Sequence, residues 1–123
     1  PPEGSGDVMF SKILSPLLET PGAVAAAFFD PQGQVIAQVG DRSAIEVLGT
    51  YHSVWLAELI RSAEACGLGA LRELAIDFGG RRADSALVSG RYYVVVVFTP
   101  DGIPATGRNA LAQACRALAV EIG

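Results

Sequence analysis

The spacing of hydrophobic positions changes several times along this chain, and each change marks an element. Phe10, Ile13, Leu14, Leu17 and Leu18 recur at three- and four-residue steps, the signature of one face of a helix beginning at Asp7. Pro16 falls inside that run. It lacks an amide donor and crowds the preceding turn, so either the helix kinks near Lys12 or Ser15 caps a fresh turn with Pro16 at its first position; a kink is expected. Thr20-Pro21-Gly22 stops the helix, and Ala23–Phe29 follows as an apolar run of strand length. Asp30-Pro31-Gln32-Gly33 has the residue choices of a type I turn, which predicts a hairpin with residues 34–39 as the partner strand. Ser43 and Glu46 make a capping box that opens a helix of roughly six turns running to Cys66, where Gly67 and Gly69 end it. Residues 71–78 then alternate with Leu74, Ile76 and Phe78 on one face; residues 83–88 return after Gly79-Gly80; and residues 91–99 form a β-branched run after Ser89-Gly90. Beyond a loop at 100–107, Leu111, Ala114, Cys115, Leu118 and Ile122 restore helical spacing.

The predicted order is helix, two strands, helix, three strands, helix, an α+β sandwich with helices on an antiparallel sheet. The long helix carries more than such a sheet requires. Ala44, Ile45, Val47, Leu48, Tyr51, Val54, Trp55, Leu56, Leu59, Ile60 and Ala63 occupy an arc roughly 240° wide. The surplus row, either Leu56, Ile60 and Ala63 or, on the other flank, Val47 and Val54, must meet a second apolar surface, which implies a partner helix. His52 and Glu58 interrupt this arc and are placed near its seam.

Composition narrows the function more than it defines it. The chain has 123 residues, 50% hydrophobic and 18% charged, enough for one core. The expected organisation is a mobile terminus at 1–6 and one domain at 7–123. A net charge of -4, with only 9 Lys and Arg scattered along the chain, argues against nucleic acid and anionic membrane surfaces. No apolar stretch approaches the roughly 20 residues of a membrane helix, no signal segment opens the chain, and Cys66 and Cys115 suggest neither a disulfide framework nor a zinc site. A soluble, cytoplasmic protein is expected.

Catalytic constellations are missing. Gly67-Leu68-Gly69 follows a helix and enters a strand, the reverse of a dinucleotide-binding turn, and no Gly-Lys-Ser or Gly-Lys-Thr exists for a phosphate cradle. His52 is the sole imidazole; Cys66, fourteen positions on, lies roughly 21 Å along the same helix, out of reach. Cys115 reads as a small core residue. Arg81-Arg82 beside Gly79-Gly80 offers a possible anion contact or simply a solvated hairpin tip. No cofactor, no metal and no enzymatic activity are expected.

The segment Thr20-Pro21-Gly22-Ala23-Val24, continuing through Ala25-Ala26-Ala27-Phe28-Phe29-Asp30-Pro31-Gln32-Gly33-Gln34-Val35-Ile36-Ala37, resembles the opening of the Roadblock/LC7 family. The likeness extends over the long helix, the meander with Arg91-Tyr92-Tyr93-Val94-Val95-Val96-Val97, and the closing amphipathic helix. It implies a profilin-like α/β/α sandwich of order α-β-β-α-β-β-β-α with a five-stranded antiparallel sheet. It also implies a homodimer in which the third strands pair edge to edge while the long helices pack side by side, an interface of Leu71, Glu73, Ala75, Asp77, Leu56, Ile60 and Ala63. In MglB-like bacterial relatives the paired helices dock a small Ras-like GTPase, which by position implies a docking face of Thr50, His52, Ser53, Ala57, Arg61 and Glu64. The function implied is a noncatalytic homodimeric regulator or scaffold of such a GTPase. The alternatives are a nucleotide-independent assembly module, as in dynein-associated relatives, and a small-ligand sensor.

Overall fold

The computed structural model describes residues 2–100 and 104–123, with the side chains of 2–7, 47, 50 and 104–108 outside that description. Helix α1 spans Pro2–Leu14 and passes into a 3-10 turn at Ser15–Glu19; then come β1 (Ala23–Phe29), β2 (Val35–Gly40), α2 (Arg42–Ala65), β3 (Glu73–Asp77), β4 (Arg82–Leu87), β5 (Tyr93–Phe98) and α3 (Pro104–Ile122). The expected order is present. The backbone is helical ahead of the expected start at Asp7, while the reading of 1–6 as a mobile terminus falls on side chains outside the description.

Instead of a kink, Pro16 marks a change of helix type. It stands in the first two positions of the 3-10 turn, where its missing amide costs least. The Ser15 hydroxyl donates to the Ser11 carbonyl at 2.8 Å. The hairpin turn forms as its residues demand: Gly33 N donates to Asp30 O at 2.9 Å, Asp30 Oδ1 accepts from Gln32 N and Gln34 N, and Gly33 takes a φ of +84°. The cap of α2 differs from expectation by two residues. Asp41, not Ser43, precedes the helix, its Oδ1 accepting from Ser43 N at 3.0 Å and from Ser43 Oγ at 2.7 Å. At the other end Leu68 N bonds to Ala63 O and Gly67 N to Glu64 O, the paired bonds of a Schellman stop with Gly67 at positive φ. The final helix begins at Pro104, inside the expected loop.

The five strands lie in the order β2-β1-β5-β4-β3, every neighbouring pair antiparallel. β5 is central and wholly buried because its two faces are both covered, which is why its residues run apolar without alternation. Val94, Val96 and Phe98 meet Leu14, Leu17, Phe28, Leu111 and Leu118 beneath α1 and α3. Tyr93, Val95 and Val97 meet Ile45, Leu56, Phe29 and Ala83 beneath α2. Close approach of α2 depends on Gly49: a Cβ there would lie 2.8 Å from Phe29 Cε2.

Candidate functional site: a half-covered sheet face

Two helices cover one face of the sheet and a single helix covers the other. Five strands at about 4.8 Å spacing span about 19 Å between the outer two, against about 10 Å for a helix with its side chains. One helix therefore leaves part of its face open. The principal strand contacts of α2 are with β1 and β2, so the opening falls over β4 and β3. There α2, β4, β5 and the β3–β4 turn bound a groove of about 480 Å³ whose walls include Leu48, Tyr51, Trp55, Phe78, Ala83 and Val97, with Asp41, Ser43 and Arg81 also lining it.

The helix side of the groove is an apolar row. Tyr51, Trp55 and Leu59 follow one another at four-residue steps and are 58%, 37% and 39% exposed; Val54 beside them is 63% exposed. Across the groove Phe78 is 51% exposed, its ring centroid 5.9 Å from that of Trp55. Tyr51 stacks on Trp55 at 6.4 Å. Below this rim the aromatic contacts continue inward, from Trp55 to His52 at 6.0 Å, His52 to Tyr93 at 5.9 Å, and Tyr93 to Phe29 at 4.9 Å. β3 is the outer strand on this side of the sheet, and its residues Glu73, Ala75 and Asp77 are exposed on the face away from α2.

Several residues anticipated from the sequence lie elsewhere. Leu56 is 4% exposed and packs in the core beneath α2, covered by its own subunit. Ile60 and Ala63 are half-buried, and Ile60 faces Leu87 and Arg91 at the opposite flank of the helix. Of the alternative flank, Val54 is exposed and the Val47 side chain is outside the described residues. The apolar surplus exists, but it is carried by Tyr51, Val54, Trp55 and Leu59. A helical projection gives the width of an arc without its rotation on the sheet, and residues buried by the subunit itself cannot be separated from the surplus until that rotation is known.

The anticipated docking residues divide similarly. His52 is fully buried with neither ring nitrogen hydrogen-bonded among the described residues, and burial pushes its pKa down to about 4. Ser53 is half-buried against Gly33 of the hairpin turn, Ala57 is half-buried, and Arg61 and Glu64 are exposed. Arg61 pairs with Glu58, and the Thr50 side chain is outside the description. On β3, Glu73, Ala75 and Asp77 are exposed as anticipated for an edge, and Leu71 is half-buried. Phe78 was not anticipated as a site residue, and Arg81 only as an anion contact or solvated hairpin tip. The alternation of β3 put Phe78 on the α2 face with Leu74 and Ile76, yet nothing local shows that α2 stops short of it.

Other titratable groups are held quiet by burial. Tyr93 is pushed up to about 12, chiefly by burial, with the Ser53 hydroxyl opposing and the Asp30 charge adding. Cys115 is raised to about 11 by burial and by Glu73, with Arg116 opposing, which suits the expected core role. Arg82, a candidate anion contact, is bonded through Nε to Asp84 Oδ1 at 2.8 Å, while Arg81 lines the groove. No cluster of three or more His, Cys, Asp or Glu able to hold a metal occurs among the described residues. None of the described helices is long and apolar enough to cross a membrane.

No family model matches the chain, and no curated protein matches it. Solved structures do. A Roadblock/LC7 domain from Streptomyces avermitilis superposes with a TM-score of 0.82 at 13% identity, covering 90% of this chain and 95% of that one. The fold is the Roadblock/LC7 fold. Myxococcus xanthus MglB gives a TM-score of 0.81 at 19% identity over 92% of this chain and 89% of its own. MglC from the same organism gives 0.66 at 20% identity over 91% and 98%. An MglB structure with a tetrameric arrangement superposes at 0.82 and 19% identity, covering 93% of this chain and 88% of that chain. Within the Roadblock/LC7 fold, the half-covered face over β4 and β3 sets the groove beside a free strand edge.

Proposed function

We propose that this chain is a noncatalytic, homodimeric regulator or scaffold that docks a small Ras-like GTPase on its paired α2 helices. The observation that carries the reading is the apolar row of Tyr51, Val54, Trp55 and Leu59, left uncovered by its own subunit next to the free edge of β3. A second copy related by a two-fold axis covers both at once: its β3 extends the sheet and its α2 lies against the row. The outer surface of the helix pair, including Arg61 and Glu64, then remains available to a partner. The MglB and MglC likeness supports a GTPase as that partner, a soluble cytoplasmic setting suits the role, and no cofactor is required.

Such a regulator acts by binding one nucleotide state better than the other, because equal affinity shifts no equilibrium. The test has two parts. Light scattering on the purified chain is expected to give twice the protomer mass. Pull-down with a small Ras-like GTPase from the same genome, loaded with a GTP analogue and then with GDP, is expected to recover one state preferentially. Equal recovery would leave an assembly module without nucleotide dependence, and recovery of neither would remove the GTPase from the account.

The groove favours a second reading, that of a small-ligand sensor. Its volume of about 480 Å³ falls within the range of small-molecule sites, and its walls are apolar with few polar groups. A rise in melting temperature with an apolar metabolite, abolished by Ala83→Trp, would support this reading over the first.

A further inference from the structure

The free edge of β3 has a register that its backbone dictates. Leu87 N donates to Arg72 O and Phe78 N to Arg81 O, both at 2.9 Å. The even-numbered residues of this stretch therefore spend their backbone groups on β4, and the amides and carbonyls of Glu73, Ala75 and Asp77 project from the edge. A second copy that keeps its α2 on the same side of the sheet pairs antiparallel, odd residue opposite odd residue. All five residues of β3 pair only when Ala75 lies opposite the partner's Ala75. A slip of two residues either way leaves three paired.

In that register Glu73 stands directly opposite the partner's Asp77, twice over. Like charges opposite one another in an antiparallel pair oppose its formation. Asp77 Oδ1 accepts from Gly79 N at 2.8 Å, a neutral donor that leaves the carboxylate charge in place. Behind β3, on the same face, Ala75 and Asp77 are paired with Asp84 and Arg82 of β4. The Arg82 guanidinium is already bonded to buried Asp84, whose second oxygen has no hydrogen-bond partner among the described residues. From α3, the Cys115 thiol feels the charges of Glu73 and Arg116. On the opposite side of the sheet the row of Tyr51, Trp55 and Leu59 is apolar, and the charged groups beside it are Asp41 and Arg81 in the groove lining and the Glu58–Arg61 pair.

We propose that the β3 edge is a charge-gated pairing surface for a second copy of this chain: the α2 row drives association, while Glu73 and Asp77 meeting their counterparts across the two-fold hold it loose. This rests on the homodimer reading above. A cationic group placed at that seam, or a strand with basic residues at these positions, strengthens the pairing. The gate makes the free edge selective without closing it, since an uncharged edge would pair with any exposed strand.

The test compares dissociation constants by sedimentation equilibrium for the native chain, Glu73→Lys, Asp77→Lys and the double reversal, at low and at high sodium chloride. Each single reversal turns two repulsive contacts into attractive ones and is expected to tighten the dimer about tenfold. The double reversal restores repulsion, so its constant is expected to return to within about threefold of the native value. Salt is expected to narrow the gap between native and single variants. Single reversals that leave the constant unchanged or raise it would overturn the gate while leaving the dimer intact. A lone protomer in every variant at millimolar concentration would overturn the gate and the homodimer together.

Discussion

Replacing His52 by Leu removes the one imidazole from a fully buried site and tests how that site treats charge. In the folded chain burial lowers the His52 pKa from 6.5 to about 4, and no hydrogen bond from the described residues offsets it. In the unfolded chain the ring titrates normally. The sign follows: because the folded pKa is the lower one, the unfolded state takes up the proton first as pH falls, and stability is lost between pH 6.5 and about 4. Above pH 6.5 the full stability is present; below about 4 no further loss comes from this group. The linkage relation gives a loss of about 1 kcal/mol at pH 5.5 and about 2 to 3 kcal/mol at pH 4.5. Leu has nearly the same volume. His52→Leu gives up ring contacts with Trp55 and Tyr93 but also removes two buried nitrogens without partners, each of the kind that costs about 1 to 3 kcal/mol. At pH 7.5 the variant is expected to be as stable as the native chain, or more so.

Urea unfolding followed by the fluorescence of the single Trp, at fixed protein concentration from pH 7.5 to 4.5, reads the effect directly. Carboxylates titrate in the same range in both proteins, so the difference between their curves isolates His52. The native chain is expected to lose about 2 to 3 kcal/mol more than the variant by pH 4.5. Parallel curves, or an imidazole titration by NMR near 6.5, would refute the claim that this ring is buried and unpaired.

Other substitutions separate the core of α2 from its open side. Gly49→Ala is expected to lower stability by about 1 to 3 kcal/mol despite the better helix propensity of Ala, because the added methyl meets the Phe29 ring; unchanged urea midpoints would show that the helix moves away freely. Leu56→Ala is expected to cost about 2 to 4 kcal/mol in unfolding, with the dimer constant corrected for folding unaltered. Val54→Glu is expected to do the reverse, leaving circular dichroism intact while light scattering shows protomers. A destabilised fold in Val54→Glu, or a broken dimer in Leu56→Ala, would put the apolar surplus back on the other flank.

The parts legible in the sequence are those settled by neighbours in the chain. The Asp30–Gly33 turn and the Gly67 stop work through backbone bonds a few residues long, and β1 matches its expected bounds because its small and aromatic residues end at Pro21-Gly22 and Asp30-Pro31. The cap of α2 was misplaced: Asp41 Oδ1 accepts from Ser43 N and Ser43 Oγ, so the residue read as the cap is the one being capped. Pro16 gave a choice between two outcomes, and the preceding turn ended instead of bending. The site was legible in kind and not in place. Its apolar excess follows from counting residues on a wheel, whereas its position requires knowing where α2 lies on the sheet and which strands it fails to reach.

That failure of reach links fold and function. Two helices on one face match the width of a five-stranded sheet; one helix on the other cannot, and the shortfall has to fall at one end. Placing α2 toward β1 and β2 leaves it at β3, the edge where Ile76 and Leu74 are half-covered and Phe78 is half exposed. If α2 lay centrally, the shortfall would be split into two strips, each too narrow to seat a helix. Offset to one side, it becomes a single groove with a free strand edge along its border, and a surface of that shape accepts a helix and a strand together. A lone peptide strand satisfies the edge but leaves Tyr51, Trp55 and Leu59 wet. A lone helix covers that row but leaves the odd-numbered backbone groups of β3 unpaired. A second copy of the same fold, as proposed above, would supply both elements at the spacing the first already has.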